Sequence, residues 1–413
     1  MNLLTSSWVP MRLRDGSIKS LPVKYLADPD VVDLAFPRAD FQGAAYQLLI
    51  GLLQTTYAPD DTDAWVELFE LPPTLDKLEA TFCAVKHAFN VSGDGALFMQ
   101  DLDLLEETKS TTVSGLLIEA PGGNALKLNT DHFVKRGVGK CMSLEMAVMA
   151  LFTLQINAPT GGQGHRTGLR GGGPLTTLIM SKNTAASLWE KLWLNVINRE
   201  HWQYDDPDFH SGELFPWLVP TKTSESKNSE VYAEDVHPLH MFWATPRRIR
   251  LLPEEGEARC DISGELSTLF VTAYKTKNYG CNYSGTWSHP LTPYGYNPKK
   301  PDEDHLSVKG QSGGVTYKIW DLLTLQSKEE GQIPAKVISH LSELLEEFDD
   351  LEEQIRLWVF AYDMDNMKAC GFYSVEMPFF NVPDAKRVRF FLEVKRLQKL
   401  SSEILWSCNS NIK

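Results

Sequence analysis

Apolar residues recur at every fourth position in three stretches of the first 160 residues, and each stretch reads as a helix. The first runs from about Asp40 to Gln54 through Ala44, Leu48 and Leu52. The second covers Leu75 to Phe89 through Leu78, Phe82 and Val85. The third covers Ser143 to Gln155 and stops at Asn157-Ala158-Pro159, since a proline disfavours helix in the residue before it. Ahead of them a short strand-like opening, Trp8-Val9-Pro10-Met11, meets a turn at Arg14-Asp15-Gly16. A further helix is expected from about Ala185 to Val196. Asp205 to Asn228, polar and proline-bearing, reads as a long surface connection.

β-favouring residues then predominate, predicting strands at Phe242-Trp243-Ala244, Ile249 to Leu252, Thr268 to Tyr274 and Val315 to Ile319. Pro334 to Leu351 predicts an acidic amphipathic helix with Val337, Leu341, Leu344, Leu345 and Phe348 inward, and Leu357 to Tyr362 a buried strand. A last helix is expected from about Asp384 to Trp406. Its stripe of Phe390, Phe391, Val394, Leu397, Ile404 and Leu405 needs a partner surface, because one helix cannot hide it alone.

Composition narrows the function classes. The 413 residues are 43% hydrophobic and 23% charged, ordinary for a globular chain with room for two or three domains. The longest nearly apolar run, Ala44 to Leu53, is about half of what crosses a bilayer. Met1 to Trp8 has neither a basic nor an apolar signal region, so a cytoplasmic protein without a membrane partner is expected. A net charge of -14 disfavours indiscriminate adhesion to nucleic acid, so any phosphate contact must be local. The six cysteines are scattered without a C-x-x-C pair, which predicts reduced, mostly buried thiols and no zinc.

Three segments offer chemistry. The glycine tract from Thr160 to Pro174 lacks the G-K-[ST] ending of a phosphate loop and the G-x-G-x-x-G spacing. It leaves a backbone able to approach a ligand closely, with His165, Arg166 and Arg170 interleaved, or else a surface loop tied down by turns. Lys127 to Lys140 holds four basic residues against Asp131 alone, which suits either a phosphate-facing loop or solvated surface. In Ala361 to Ala369, Asp363 and Asp365 suggest a metal pair, yet no acidic cluster accompanies them. A tight hairpin or wedge fits better, with Asn366 and Lys368 as donors and Met367 able to intrude between base pairs. No G-x-S-x-G, H-E-x-x-H or deaminase signature occurs. The enzymatic alternative is a metal-dependent nuclease or hydrolase using Asp131, His132, Asp363 and Asp365.

Asn2-Leu3-Leu4 with Trp8-Val9-Pro10, Phe98-Met99-Gln100, the G-L-R-G-G-G-P-L-T-T core within Gln155 to Thr177, and Tyr362 to Ala369 with Met377-Pro378 together resemble the CasA family. CasA is the large subunit of the type I-E CRISPR surveillance complex Cascade. The resemblance implies an α+β fold, with a large irregular mixed domain of helices and short antiparallel sheets over residues 1–380 and a truncated C-terminal helical region at 381–413. It implies a non-catalytic role without cofactor or metal. Such a subunit sits at the crRNA 5′ end, reads the protospacer-adjacent motif (PAM) of double-stranded DNA from the minor groove, and wedges the duplex open to start R-loop formation.

Carried over by position, the PAM-reading loop falls on Gly161, Gly162, Gln163, Gly164, His165 and Arg166. The wedge falls on Asp365, Asn366, Met367 and Lys368, with Asn366 or Met367 at its tip. Lys127, Asn129, His132, Lys135 and Arg136 resemble a flexible loop near the crRNA handle, and Lys299 or Lys300 a basic finger. The implied partners are crRNA, target DNA, the other Cascade subunits and a helicase-nuclease, or a nuclease fused to another subunit. Family members finish with a four-helix bundle, of which one convincing helix is present; a purely architectural subunit is the remaining alternative.

Overall fold

Two helices are apolar on almost every side, and the chain buries both. They are α1 (Ala39–Thr56) and, later in the chain, Leu144–Asn157; a helix without a polar face has to sit inside the molecule. The computed structural model describes residues 1–121, 127, 137–162, 164–311, 313–347, 355–365, 368–380, 382 and 384–412. Before α1 come β1 (Val9–Leu13), β2 (Ile18–Leu21) and β3 (Val31–Leu34), an antiparallel sheet in the order β2-β1-β3. After it come α2 (Thr62–Glu70), capped by Asp61, and α3 (Leu75–Cys83), capped by Thr74. The periodicity predicted from Leu75 to Phe89 thus divides into α3 and a 3-10 turn at Lys86–Phe89.

β4 (Ser110–Thr112) and β5 (Met142–Ser143) lead into α4 (Leu144–Asn157), whose first turn is capped by Ser143. β6 (Thr176–Ser181) follows the glycine tract, and α5 (Leu188–Trp193), held by a Ser187/Glu190 capping box, is shorter than predicted. A long hairpin of β7 (Arg248–Arg259) and β8 (Leu266–Lys277) adds β4 and β5 to its second strand. Beyond it lie α6 (Trp320–Thr324) and α7 (Lys336–Glu347). A second hairpin follows, β9 (Ile355–Asp365) with β10 (Lys368–Pro378), and β6 pairs with the other edge of β9. The chain is α+β, with helices among short antiparallel sheets, as expected.

The core runs from Leu3 to Phe379 without interruption and gathers five fully buried tryptophans, among them Trp65, Trp193 and Trp243. α1 lies against α4 and reaches the second hairpin at Gly43, where a Cβ would stand 2.7 Å from the Phe360 ring. α8 (Asp384–Asn411) rests on α6 through Phe390, whose ring is 5.9 Å from that of Trp320, and through Lys395, 2.9 Å from Asp321. Its outer half is exposed, Leu397 and Ile404 each at 63%.

Four expectations need correction. Phe242-Trp243-Ala244 is no strand, because Pro238 and the capping His237 ring wind Pro238–Phe242 into a 3-10 turn. Val315 to Ile319 likewise becomes a turn, Thr316 capping Tyr317–Ile319 ahead of α6. The connection from Asp205 to Asn228 is not confined to the surface, since Leu214, Phe215 and Trp217 belong to the core. Of the cysteines, Cys83, Cys370 and Cys408 are exposed and only Cys260 and Cys281 are buried. No helix among the described residues is long and apolar enough to cross a membrane.

Candidate nucleic-acid interface

The glycine tract leaves α4 at Asn157 and returns to the sheet at β6, so both of its ends are fixed by core elements. Its tip, Thr160 to Gly162, is exposed, while the residues after it are clamped on three sides. Arg166 donates from Nε to Ser224 Oγ at 2.7 Å. The Tyr279 amide donates to the Gly164 carbonyl at 2.7 Å. Arg247 donates from Nε to the Arg166 carbonyl at 2.8 Å and from Nη2 to the Pro159 carbonyl, tying the two legs of the loop together. Gly162 and Gly164 hold φ near +88° and +77°, a region other residues enter at a cost. A Cβ on Gly164 would also meet the Tyr279 amide nitrogen at 2.9 Å.

Two guanidinium groups, Arg247 beneath the tip and Arg170 within the tract, have no carboxylate partner among the described residues. Arg170 is buried on neutral oxygens: Gln47 Oε1 at 2.7 Å, Thr292 Oγ1 at 3.0 Å and Thr176 Oγ1 at 3.2 Å. Burial pushes its pKa down to about 10, and does the same to Arg247. Burial and then the Arg247 charge lower the His165 imidazole, keeping that ring neutral near pH 7. In a chain of net charge -14, an uncompensated cation beneath the exposed tip and a second within the tract give this loop a locally positive base. Lys309, its Nζ 2.5 Å from where a Gly171 Cβ would stand, adds a third positive group.

The second hairpin roots in the same place. Its first strand is mostly buried from Ile355 to Tyr362, and Tyr362 donates to Asp40 Oδ2 at 2.6 Å, a carboxylate that Arg38 grips with bonds of 2.7 and 2.9 Å. Its outer end, from Asp365 and Lys368, is exposed, and these two residues are register partners. At Gly173 the tract and the hairpin touch: a Cβ there would meet Met364 Cγ at 2.6 Å and the Tyr362 carbonyl oxygen at 3.0 Å. Two of the predicted segments therefore share one base.

Lys299 and Lys300 are exposed, and Lys300 is 2.6 Å from Glu303, which offsets its charge. Lys127 is exposed; Asn129, Asp131, His132, Lys135, Arg136, Gln163, Asn366 and Met367 lie outside the described residues. Asp363 and Asp365 belong to β9, and among the described residues no group of three or more His, Cys, Asp or Glu side chains is placed to hold a metal ion. A surface cleft of about 680 Å³ lined by Asp205, Glu213, Glu234 and Asp235 is acidic and unsuited to phosphate.

Sequence reading missed Arg247 and Lys309. Arg247 sits in Pro246-Arg247-Arg248-Ile249-Arg250, where nothing in the pattern separates it from Arg248. That neighbour turns inward to Asp101, 2.5 Å away. Gln155 was legible only as part of a motif; its side chain bonds both the amide and the carbonyl of Arg247, at 3.0 and 2.9 Å, and so sets the start of β7 under the loop.

The family model for CRISPR-associated protein Cse1 matches residues 2–413. Among solved structures, CasA of Thermus thermophilus is similar over 98% of this chain and 77% of its own, with 17% identity and a TM-score of 0.70. Cse1 of Thermobifida fusca is similar over 91% of this chain and 72% of its own, with 17% identity and a TM-score of 0.66. A chain of a CRISPR RNA-guided surveillance complex is similar over 99% of this chain and 83% of its own, with 15% identity and a TM-score of 0.68. At these identities the structural likeness is one of fold.

Proposed function

Because the chain belongs to the CRISPR-associated protein Cse1 family, we propose that it is the large, non-catalytic subunit of an RNA-guided surveillance complex and that it reads and opens duplex DNA. The similar chain of a CRISPR RNA-guided surveillance complex supports the assembly. The observation that carries the mechanism is the exposed loop from Thr160 to Gly162, seated on the uncompensated Arg247 guanidinium, in a tract that meets at Gly173 the hairpin whose outer end is exposed.

In this reading the backbone at Gly161 and Gly162 enters the minor groove of the PAM, where a bulky side chain would stand between protein and bases. The minor groove tells A·T from G·C pairs and little more, so the tag it reads is short. The hairpin end, Asp365 to Lys368, then enters the next base step. Parting one or two steps costs a few kcal/mol, which groove and phosphate contacts from the loop offset. Guide pairing supplies the remaining sequence reading. The chain contributes binding energy and shape, and bond cleavage falls to a nuclease partner.

Gel-shift titration of the reconstituted complex tests the loop. Gly161→Phe with Gly162→Phe is expected to abolish the preference for PAM-bearing duplex while the subunits and crRNA still assemble. Unchanged PAM-dependent binding by that variant refutes the loop assignment, and metal-dependent DNA cleavage by the purified chain refutes the non-catalytic role.

A further inference from the structure

Arg247 does more than its two carbonyl bonds require. Those bonds use Nε and Nη2; Nη1 donates to no described residue. It lies 2.7 Å from where a Cβ on Gly161 would stand, and Nη2 lies 2.9 Å from the same point. The residue is half-buried, whereas Gly161 and Gly162 are exposed, and the missing side chain at 161 lets the guanidinium pack directly beneath the exposed tip. The charge has no acidic partner among the described residues, and the bonds to Pro159 and Arg166 fix the direction in which the remaining N–H groups point. A fixed, desolvated, uncompensated guanidinium opening onto a backbone loop suits the binding of a phosphodiester.

We propose that Arg247 binds one backbone phosphate of the target duplex with its uncommitted N–H groups at the edge of the loop tip. The inference rests on the duplex-reading function proposed above and deepens it. Arg247 fixes how far the loop enters the groove, and the glycine at 161 makes room for its guanidinium as well as for the groove. A contact to phosphate positions the protein without reading bases, so its loss weakens PAM-bearing and PAM-free duplexes alike.

The test is the salt dependence of duplex binding by the assembled complex, with wild-type protein, Arg247→Gln and Arg247→Lys. Each phosphate neutralised contributes about 0.9 to the slope of log K against log salt. Arg247→Gln is expected to bind more weakly and with a slope shallower by about 0.9. Its deficit against wild type then shrinks about threefold between roughly 50 and 200 mM salt. Arg247→Lys keeps the charge and is expected to keep the wild-type slope. Thermal melting of each purified chain identifies a variant that fails to fold, in which case the other decides. An unchanged slope in Arg247→Gln, or a loss as large in Arg247→Lys, overturns the phosphate contact and leaves Arg247 a loop brace. A change confined to the salt slope of crRNA loading also overturns it. Failure of the wild-type complex to prefer PAM-bearing duplex would instead overturn the parent reading.

Discussion

His340 lies on the inner face of α7, between the Trp65 ring at 5.9 Å and the His201 ring at 5.3 Å, and neither of its ring nitrogens has a hydrogen-bond partner among the described residues. Burial, helped by His201, pushes its pKa down to about 3. A histidine whose folded pKa lies below its unfolded value of 6.5 leaves the unfolded chain holding more protons, so stability is lost as pH falls from 6.5 toward 3. His240 acts in the same sense down to about pH 4; its Nδ1–H donates to the Glu213 carbonyl at 3.0 Å and its Nε2 accepts from Tyr283. His340→Leu removes two unsatisfied polar atoms worth about 1–3 kcal/mol. It is expected to raise the melting temperature at pH 7 and to reduce the loss of stability between pH 7 and pH 5. Differential scanning calorimetry at both values checks this; a lower melting temperature with an unchanged pH response would show that the ring packs better than it is bonded.

At the scale of elements, helical spacing was a dependable guide where an apolar face or a cap defined the segment, as in α1, α3 and α4. β-propensity misled at Phe242 and Val315 because Pro238 and Thr316 impose local turns that outweigh it. The strand from Leu357 to Tyr362 was legible from its apolar run, and a tight hairpin within Ala361 to Ala369 was expected; how far its strands extend and the pairing of the first with β6 were not legible, since distant pairing partners leave no mark in one strand's pattern. That hairpin carries the proposed wedge. Replacing Asn366, Met367 and Lys368 together by Ala is expected to slow R-loop formation on fully paired DNA roughly tenfold or more, the equivalent of about 1.4 kcal/mol. A target with the first base pairs already mismatched should be nearly unaffected. Stopped-flow fluorescence of a base analogue beside the PAM reads both rates, and equal slowing on the two targets would make these residues anchors without a wedging role.

Across the whole molecule, net charge says little about where charge of the opposite sign gathers. The -14 total hides the positive ground at the glycine tract, because that ground is assembled from Arg170 within the tract and Arg247, 77 positions on, immediately before β7. The tract itself was legible as a run of residues without side chains; which neighbours would clamp it, and that it would meet the hairpin at Gly173, depended on tertiary contacts alone.

The account turns on the loop tip facing the duplex, and site-directed photocrosslinking in the assembled complex measures that most directly. Thr160 is exposed and adjoins Gly161, so Thr160→Cys carrying a short aryl azide samples the tip without filling the glycine positions. Adducts confined to nucleotides of the PAM and the first unwound pairs are expected, and they should disappear when the PAM is scrambled. Adducts on crRNA alone, on distant DNA, or on no nucleic acid at all would contradict the account.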